Sequence, residues 1–374
     1  MTKKRDAPKR AWNRKPEMPR RAWNRKPEAP ERAGSRKPEA PERAGSRKPE
    51  APERAGSRRP EVPKRAWSLQ RGRAAALLCL LVAALLVFPG LVPNTPGRLG
   101  SLLETFLPWL GLAVPVLLVT ALLRRSLLAS AALLLPVAAW LAVFGGMLSA
   151  GGQAADGSFT VVQHNVSDVN PDPAATARAL AATDAGLIAL EELTAPALPA
   201  FEAALSSDYP HHATRGTVGL WSKYPLTGVR LVDIRPKGVG EGWDRGLRAS
   251  ARTPRGEVAV YVAHLPSVRI GPTTGLTSGR RDESAALLSE AVAAEPLDRV
   301  ILLGDLNSTL DDRGLDPVSS LMEPPGPGFA FSWPAKFPVA RIDQILTRSA
   351  TVTRVRSLPA TGSDHLPIAA DIRL

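Results

Sequence analysis

Three long runs of the chain carry no charge, and nothing else in the sequence limits its fold so strongly. There are 24 uncharged residues between Arg73 and Arg98, 19 between Glu104 and Arg124, and 30 between Arg125 and Asp156. A helix needs about 20 mostly apolar residues to cross the hydrocarbon core of a bilayer, so spans are expected near 74–93, 105–123 and 126–148. A cleavable signal peptide does not fit, because the first run follows a tail of 73 residues and two more runs follow it.

The charge distribution orients these spans. Residues 1–73 hold 24 of the 48 Lys/Arg but only 9 of the 35 Asp/Glu, which leaves the other 301 residues close to neutral. Basic residues favour the cytoplasmic side, so the tail is expected inside. The loop holding Arg98 is then outside, the Arg124-Arg125 turn inside, and everything beyond Ala150 outside. The tail itself repeats every 11 residues, with Arg10, Arg21, Arg32, Arg43, Arg54 and Arg65 heading units such as RAGSRKPEAPE. Two prolines per unit exclude a coiled coil and point to a solvated, disordered segment. Anionic lipid headgroups are a conceivable partner for it, at roughly 1 kcal/mol per basic residue close to the surface. Cys79 is the one cysteine, so no disulfide can form within the chain.

From Phe159 the pattern changes to short apolar runs alternating with Ala-rich stretches. FTVVQHNV, GLIALEEL, TVGLWSKYPL, EVAVYVAHL, RVILLGDLN and ARIDQIL read as strands, and 172–182 and 281–294 as helices. The division expected is a tail at 1–73, three membrane helices within 74–148, a linker at 149–158 and an α/β domain at 159–374. Polar residues recur where the strands end: Asn165, Glu191 and Glu192, His264, then Asp305 and Asn307, with Asp343, Asp364 and His365 in later motifs. These types suit phosphoester hydrolysis. A hard cation takes oxygen ligands, a carboxylate or histidine handles the proton of an attacking water, and amide and imidazolium donors hold phosphoryl oxygens.

The ordered series QHN, ALEEL, SKYPL, AHL, GDLN, RIDQIL and SDHLP resembles the motif set of the endonuclease/exonuclease/phosphatase superfamily. That resemblance implies a four-layer α/β sandwich, two packed mixed sheets flanked by helices, that works with Mg²⁺ or Mn²⁺. It implies metal-site roles for Asn165, Glu192 and Asp364. It makes Asp305 the group that orients or deprotonates water and Asn307 a grip on phosphate. His264 would contact the phosphoryl group, and Asp343 would pair with His365, which would stabilise the transition state. Glu191 stands where many members have Gln and receives no role; His164 also departs from the commoner residues. Outside the motifs, His211 and His212 are expected in an exposed loop, Trp333 at a packing or rim position, and Arg281 either on phosphate or at a helix start.

Membrane-anchored members with a WPA-type segment before RID are similar to bacterial proteins associated with teicoplanin resistance. By that resemblance the substrate is a cell-envelope lipid, such as an undecaprenyl-type pyrophosphate. Two other readings stay open: a membrane-tethered extracellular nuclease, and a catalytically inactive envelope-binding protein. The short linker and the near-neutral domain favour a lipid-linked phosphate over nucleic acid, since non-specific nucleic-acid binding rests on basic charge.

Overall fold

A computed structural model describes residues 72–148, 157–324 and 326–374. The repeat tail, apart from its last two residues, and most of the linker lie outside the described residues. Two stretches are long and apolar enough to cross a membrane, Leu107–Arg124 and Leu127–Leu148. Only 17% and 22% of their apolar windows are buried within the protein, which separates them from core helices of a water-soluble domain. The expected first span is shorter than the sequence suggested. Its α-helix is the 15-residue Arg73–Val87, broken before Pro89 and followed by a 3₁₀ turn at Pro89–Leu91. Proline's missing N–H and ring explain that break.

The remainder is built from strands β1 (Phe159–Asn165), β2 (Leu187–Glu191), β3 (His211–Arg215), β4 (Val218–Ser222), β5 (Leu226–Leu231), β6 (Gly246–Thr253), β7 (Gly256–His264), the short pair β8 (Ile270–Gly271) and β9 (Gly275–Leu276), β10 (Val300–Asp305), β11 (Asp343–Arg348), β12 (Thr351–Ser357) and β13 (Ile368–Arg373). One sheet runs β12-β13-β1-β2-β4-β3 and the other β11-β10-β7-β6-β5. Both are mixed: β1–β2 and β7–β10 pair in parallel, while the other pairs are antiparallel.

Alternation along the strands decides which side chain faces which layer. Val161, Leu187, Val258, Val260, Val262 and Leu303 belong to one buried cluster shared by the two sheets. The residues between them point the other way. Ala259, Tyr261 and Leu302 pack on Ala285, Leu288 and Val292 of the helix Gly279–Ala293, while Val162 and Ile188 pack on Leu180 and Phe201 of Pro173–Ala181 and Leu198–Leu205. Strands buried on both faces read as continuous apolar runs, which is why these were visible in the sequence.

The polar edge strand β3 was not. His211 and His212, expected in a loop, form its start, and His212 stacks on Trp221 with ring centroids 5.7 Å apart. The neighbouring aromatic compensates for a strand that lacks apolar alternation.

A largely buried ion pair joins β6 to the residues that follow the helix Gly279–Ala293. Arg248 donates from Nε and Nη2 to the Glu295 carboxylate at 2.9 and 2.7 Å, and the Tyr261 hydroxyl donates to it at 2.8 Å. Removing one partner strands the other charge, so Arg248→Ala should cost about 3–5 kcal/mol in urea unfolding of the detergent-solubilised chain. A double change to Arg248→Met with Glu295→Leu should recover most of that loss.

Candidate active site

The strand registers bring the expected residues to one corner. Asn165 pairs with Glu191 across β1 and β2, and Asp305 pairs with His264 on one side and Asp343 on the other. Asn165, Glu191, His264 and Asp305 are the carboxyl ends of the parallel strands, Asp343 opens the antiparallel β11, and Asp305 faces a cleft beside them. The cleft, about 600 Å³, is lined by Glu192, Asp305, Asn307, Asp364 and His365 among others. Glu192 and Asn307 both adopt left-handed backbone, with φ of 57° and 49°, a conformation that costs energy outside glycine and concentrates at functional sites.

Asp305 is the hub. Its carboxylate accepts from the Asn165 side-chain amide at 3.0 Å, from the Asn307 backbone at 2.9 Å and from the Asn307 side chain at 3.2 Å. His264 Nε2 stands 3.6 Å and His365 Nε2 3.9 Å from it. Asp343 accepts from His365 Nδ1 at 2.8 Å and from Gln163 at 2.9 Å. Its pairing with a buried histidine leaves no place for a surface ion pair with Arg341.

Burial sets the protonation states. It disfavours a charged His365, but the carboxylates of Asp343 and Asp305 outweigh it and raise the imidazole to about 10. The ring is therefore cationic, with Nε2 free to donate toward the cleft. Burial likewise works against ionised Asp343, yet the facing imidazolium holds it below the usual range. His264 is driven well down by burial and by the Arg245 guanidinium, so it is neutral. Burial pushes Asp305 up, opposed by His365 and reinforced by Asp343.

Glu191 is raised well above the ordinary carboxylate range by burial and by Asp343 and Asp305 behind it. Gln163 bridges it to Asp343, donating to both. A neutral carboxylic acid has nearly the shape and hydrogen-bonding capacity of glutamine, which accounts for Glu191 where a Gln is common. His164 is depressed to about 3 by burial and bonds Thr361 at 2.7 Å; its role is packing. Arg281 starts the helix Gly279–Ala293 and is buried between Asp312 and Asp282, so its charge is committed within the wall of the cleft. Trp333 is 38% exposed at the rim.

Two participants had no legible signal. Arg245 points a guanidinium nitrogen at His264 Nδ1, 3.2 Å away, and stacks over Trp243 at 5.0 Å. A lone arginine in the GWDRGL loop matches no pattern. Gln163 is inside the QHN motif, but nothing in its spacing marked it as the bridge between two acids.

A divalent ion fits the donor set. Asp305, Asp343 and His365 offer atoms within 4.8 Å of one another, but a cationic His365 already bound to Asp343 is a poor ligand. The oxygens that face the cleft are better candidates. Glu192 has one oxygen taken by the Asp168 backbone N–H at 3.1 Å and the other directed toward His264, and the exposed Asp364 lines the same space. One or two carboxylates with water and phosphate are the usual Mg²⁺ environment.

The endonuclease/exonuclease/phosphatase family model matches residues 151–365, and the chain belongs to that family. No curated protein sequence matches it. Among solved structures it is similar to beta toxin from Staphylococcus aureus (17% identity, 57% of this chain and 99% of that one, TM-score 0.46). It is also similar to sphingomyelinase C from Streptomyces griseocarneus (18%, 57% and 99%, 0.43) and to D. rerio TDP2 complexed with a single-strand DNA product (17%, 59% and 100%, 0.47). At these identities none of the three bears on the substrate.

Substitution separates the two adjacent glutamates. Glu192→Gln should weaken Mn²⁺ binding, followed by the spin resonance of the free ion, by about tenfold or more. Glu191→Gln should leave it unchanged.

Proposed function

We propose that the chain is a membrane-anchored, Mg²⁺- or Mn²⁺-dependent phosphoesterase acting on a lipid-linked phosphate or pyrophosphate outside the cytoplasmic membrane, an undecaprenyl-type pyrophosphate being the substrate of choice. The observation that carries this reading is the convergence of Asp305, His264 and the His365–Asp343 pair with Glu192 on one cleft. The ion would polarise a phosphoryl oxygen and offset developing charge. Asp305 is placed to orient an attacking water and take its proton. His365 Nε2, kept cationic by Asp343, donates to a phosphoryl oxygen as charge builds there. Neutral His264 supplies a further uncharged hydrogen-bonding group, and Arg245 adds a positive charge behind it. The Asn307 amide is spent on Asp305 and the Leu265 carbonyl and so fixes Asp305 in place.

Sidedness is supported by contacts as well as by charge. The segment 94–106 is bonded to the catalytic domain: the Gly97 carbonyl accepts from Leu276 N–H at 2.9 Å, Arg98 pairs with Asp282, and Glu104 pairs with Arg313 at 2.6 Å. Both must then occupy one side of the bilayer. The helical stretches Leu107–Arg124 and Leu127–Leu148 satisfy this as a hairpin that goes in and returns. The tail's basic residues place it opposite if Arg73–Leu91 also crosses.

A tethered nuclease is the second reading, since the same catalytic groups would serve a phosphodiester. Three measurements test the proposal. EDTA and Asp305→Ala should each reduce hydrolysis of bis(p-nitrophenyl) phosphate by about a hundredfold or more; activity that survives both contradicts the chemistry. Lipid pyrophosphate should be turned over faster than plasmid DNA, and the reverse order would make the nuclease reading the better one. Protease added to intact cells should remove the C-terminal domain and spare the tail.

A further inference from the structure

The cleft is not walled by the catalytic domain alone. Thr105 and Phe106, from the segment entering the Leu107 helix, line it beside Trp333, Ala340 and Ile342. That segment is held firmly. Glu104 is buried and accepts from the Arg313 guanidinium through both oxygens, and the Trp109 indole donates to the Val339 carbonyl at 2.7 Å. Trp109 also stacks on Phe331, with centroids 5.6 Å apart.

The chain segments that form these walls also line a second space. Three residues beyond Phe106, Trp109 lines a hollow of about 410 Å³; two residues before Trp333, Phe331 lines the same hollow, with Leu112, Val137, Trp140 and Phe329 among the others. Every lining residue is apolar. The two indole N–H groups among them are already used, Trp109 on Val339 and Trp140 on the Pro108 carbonyl at 2.7 Å. A polar ligand would find nothing to bond there, and apolar cavities of this kind take hydrocarbon rather than water. Leu112, Val137 and Trp140 belong to the membrane hairpin, so the hollow opens where lipid chains are.

We propose that this hollow seats the substrate's hydrocarbon chain beyond its first five-carbon unit while its phosphoryl group lies at Asp305 and His365. The inference rests on the lipid-phosphate reading above and adds to it a chain-binding subsite built jointly by the membrane hairpin and the Phe329–Phe331 segment. Substrate choice then depends on the length of the hydrocarbon chain, not on the headgroup alone.

The test uses the full chain in detergent with Mg²⁺ and two substrates of one headgroup: a long polyprenyl pyrophosphate and dimethylallyl pyrophosphate. Leu112→Trp and Val137→Trp fill the hollow from different walls, so a variant that fails to fold does not decide the matter; turnover of bis(p-nitrophenyl) phosphate reports on folding. The expected result is a fall of about tenfold in kcat/KM for the long substrate, through KM, with dimethylallyl pyrophosphate unchanged. Unchanged turnover of the long substrate in both variants, or equal losses on both substrates, overturns the subsite. If the wild type hydrolyses bis(p-nitrophenyl) phosphate but neither pyrophosphate, the lipid reading itself fails and the subsite with it.

Discussion

Three carboxyl groups, those of Glu191, Asp305 and Asp343, are buried in one corner of the molecule, and the rest of the site is arranged around the energy needed to put them there. Like charges at such separations cannot all stay ionised in a medium of low dielectric. The protein resolves the conflict in three ways. Glu191 is kept neutral, Asp343 is matched by the His365 imidazolium, and Asp305 is surrounded by amide donors from Asn165 and Asn307. Each solution fixes a neighbour in turn: Gln163 must bridge two of the acids, and Ser363 must hold the His365 backbone at 3.0 Å while donating to Asn165 at 2.7 Å. The catalytic geometry and the electrostatic compensation are the same set of bonds.

The second constraint is the anchorage of the domain. A segment between two apolar helices would ordinarily be free to drift, but here it carries Gly97, Arg98 and Glu104 onto the catalytic domain. Gly275 shows how close the approach is: a Cβ there would lie 2.1 Å from the Gly97 carbonyl oxygen, and its φ of 66° favours glycine independently. Arg313 reaches further, to the Pro89 carbonyl at 3.2 Å. The cleft is thereby held against the apolar helices by contacts and not by linker length alone.

Much of this was legible in the sequence because burial leaves a signature. The strands β1, β2, β7 and β10 are apolar on both faces, so they read as continuous runs ending in a polar residue, and those end residues gather in the corner of the candidate site. What could not be read falls into two kinds. β3, β5 and β12 carry polar or mixed side chains at sheet margins, where pairing partners and not local pattern decide the conformation. Arg245 reaches His264, and Phe106 the cleft, through tertiary contacts that no spacing encodes. Glu191 was visible as a departure from the family pattern, but its explanation required knowing which acids surround it.

The near neutrality of everything after residue 73 takes on a different meaning beside these contacts. A nuclease gains affinity by neutralising many phosphates along a strand, which calls for positive charge beyond the reacting centre. Of the arginines around this cleft, Arg281 pairs with Asp312 and Asp282, Arg313 with Glu104 and Arg98 with Asp282, while Arg269 lines the cleft itself. Past the catalytic groups the lining turns to Phe106, Trp333, Ala340 and Ile342. That apolar stretch offers contact area to a hydrocarbon, and Arg269 on the same lining offers counter-charge to a second phosphate such as that of a pyrophosphate.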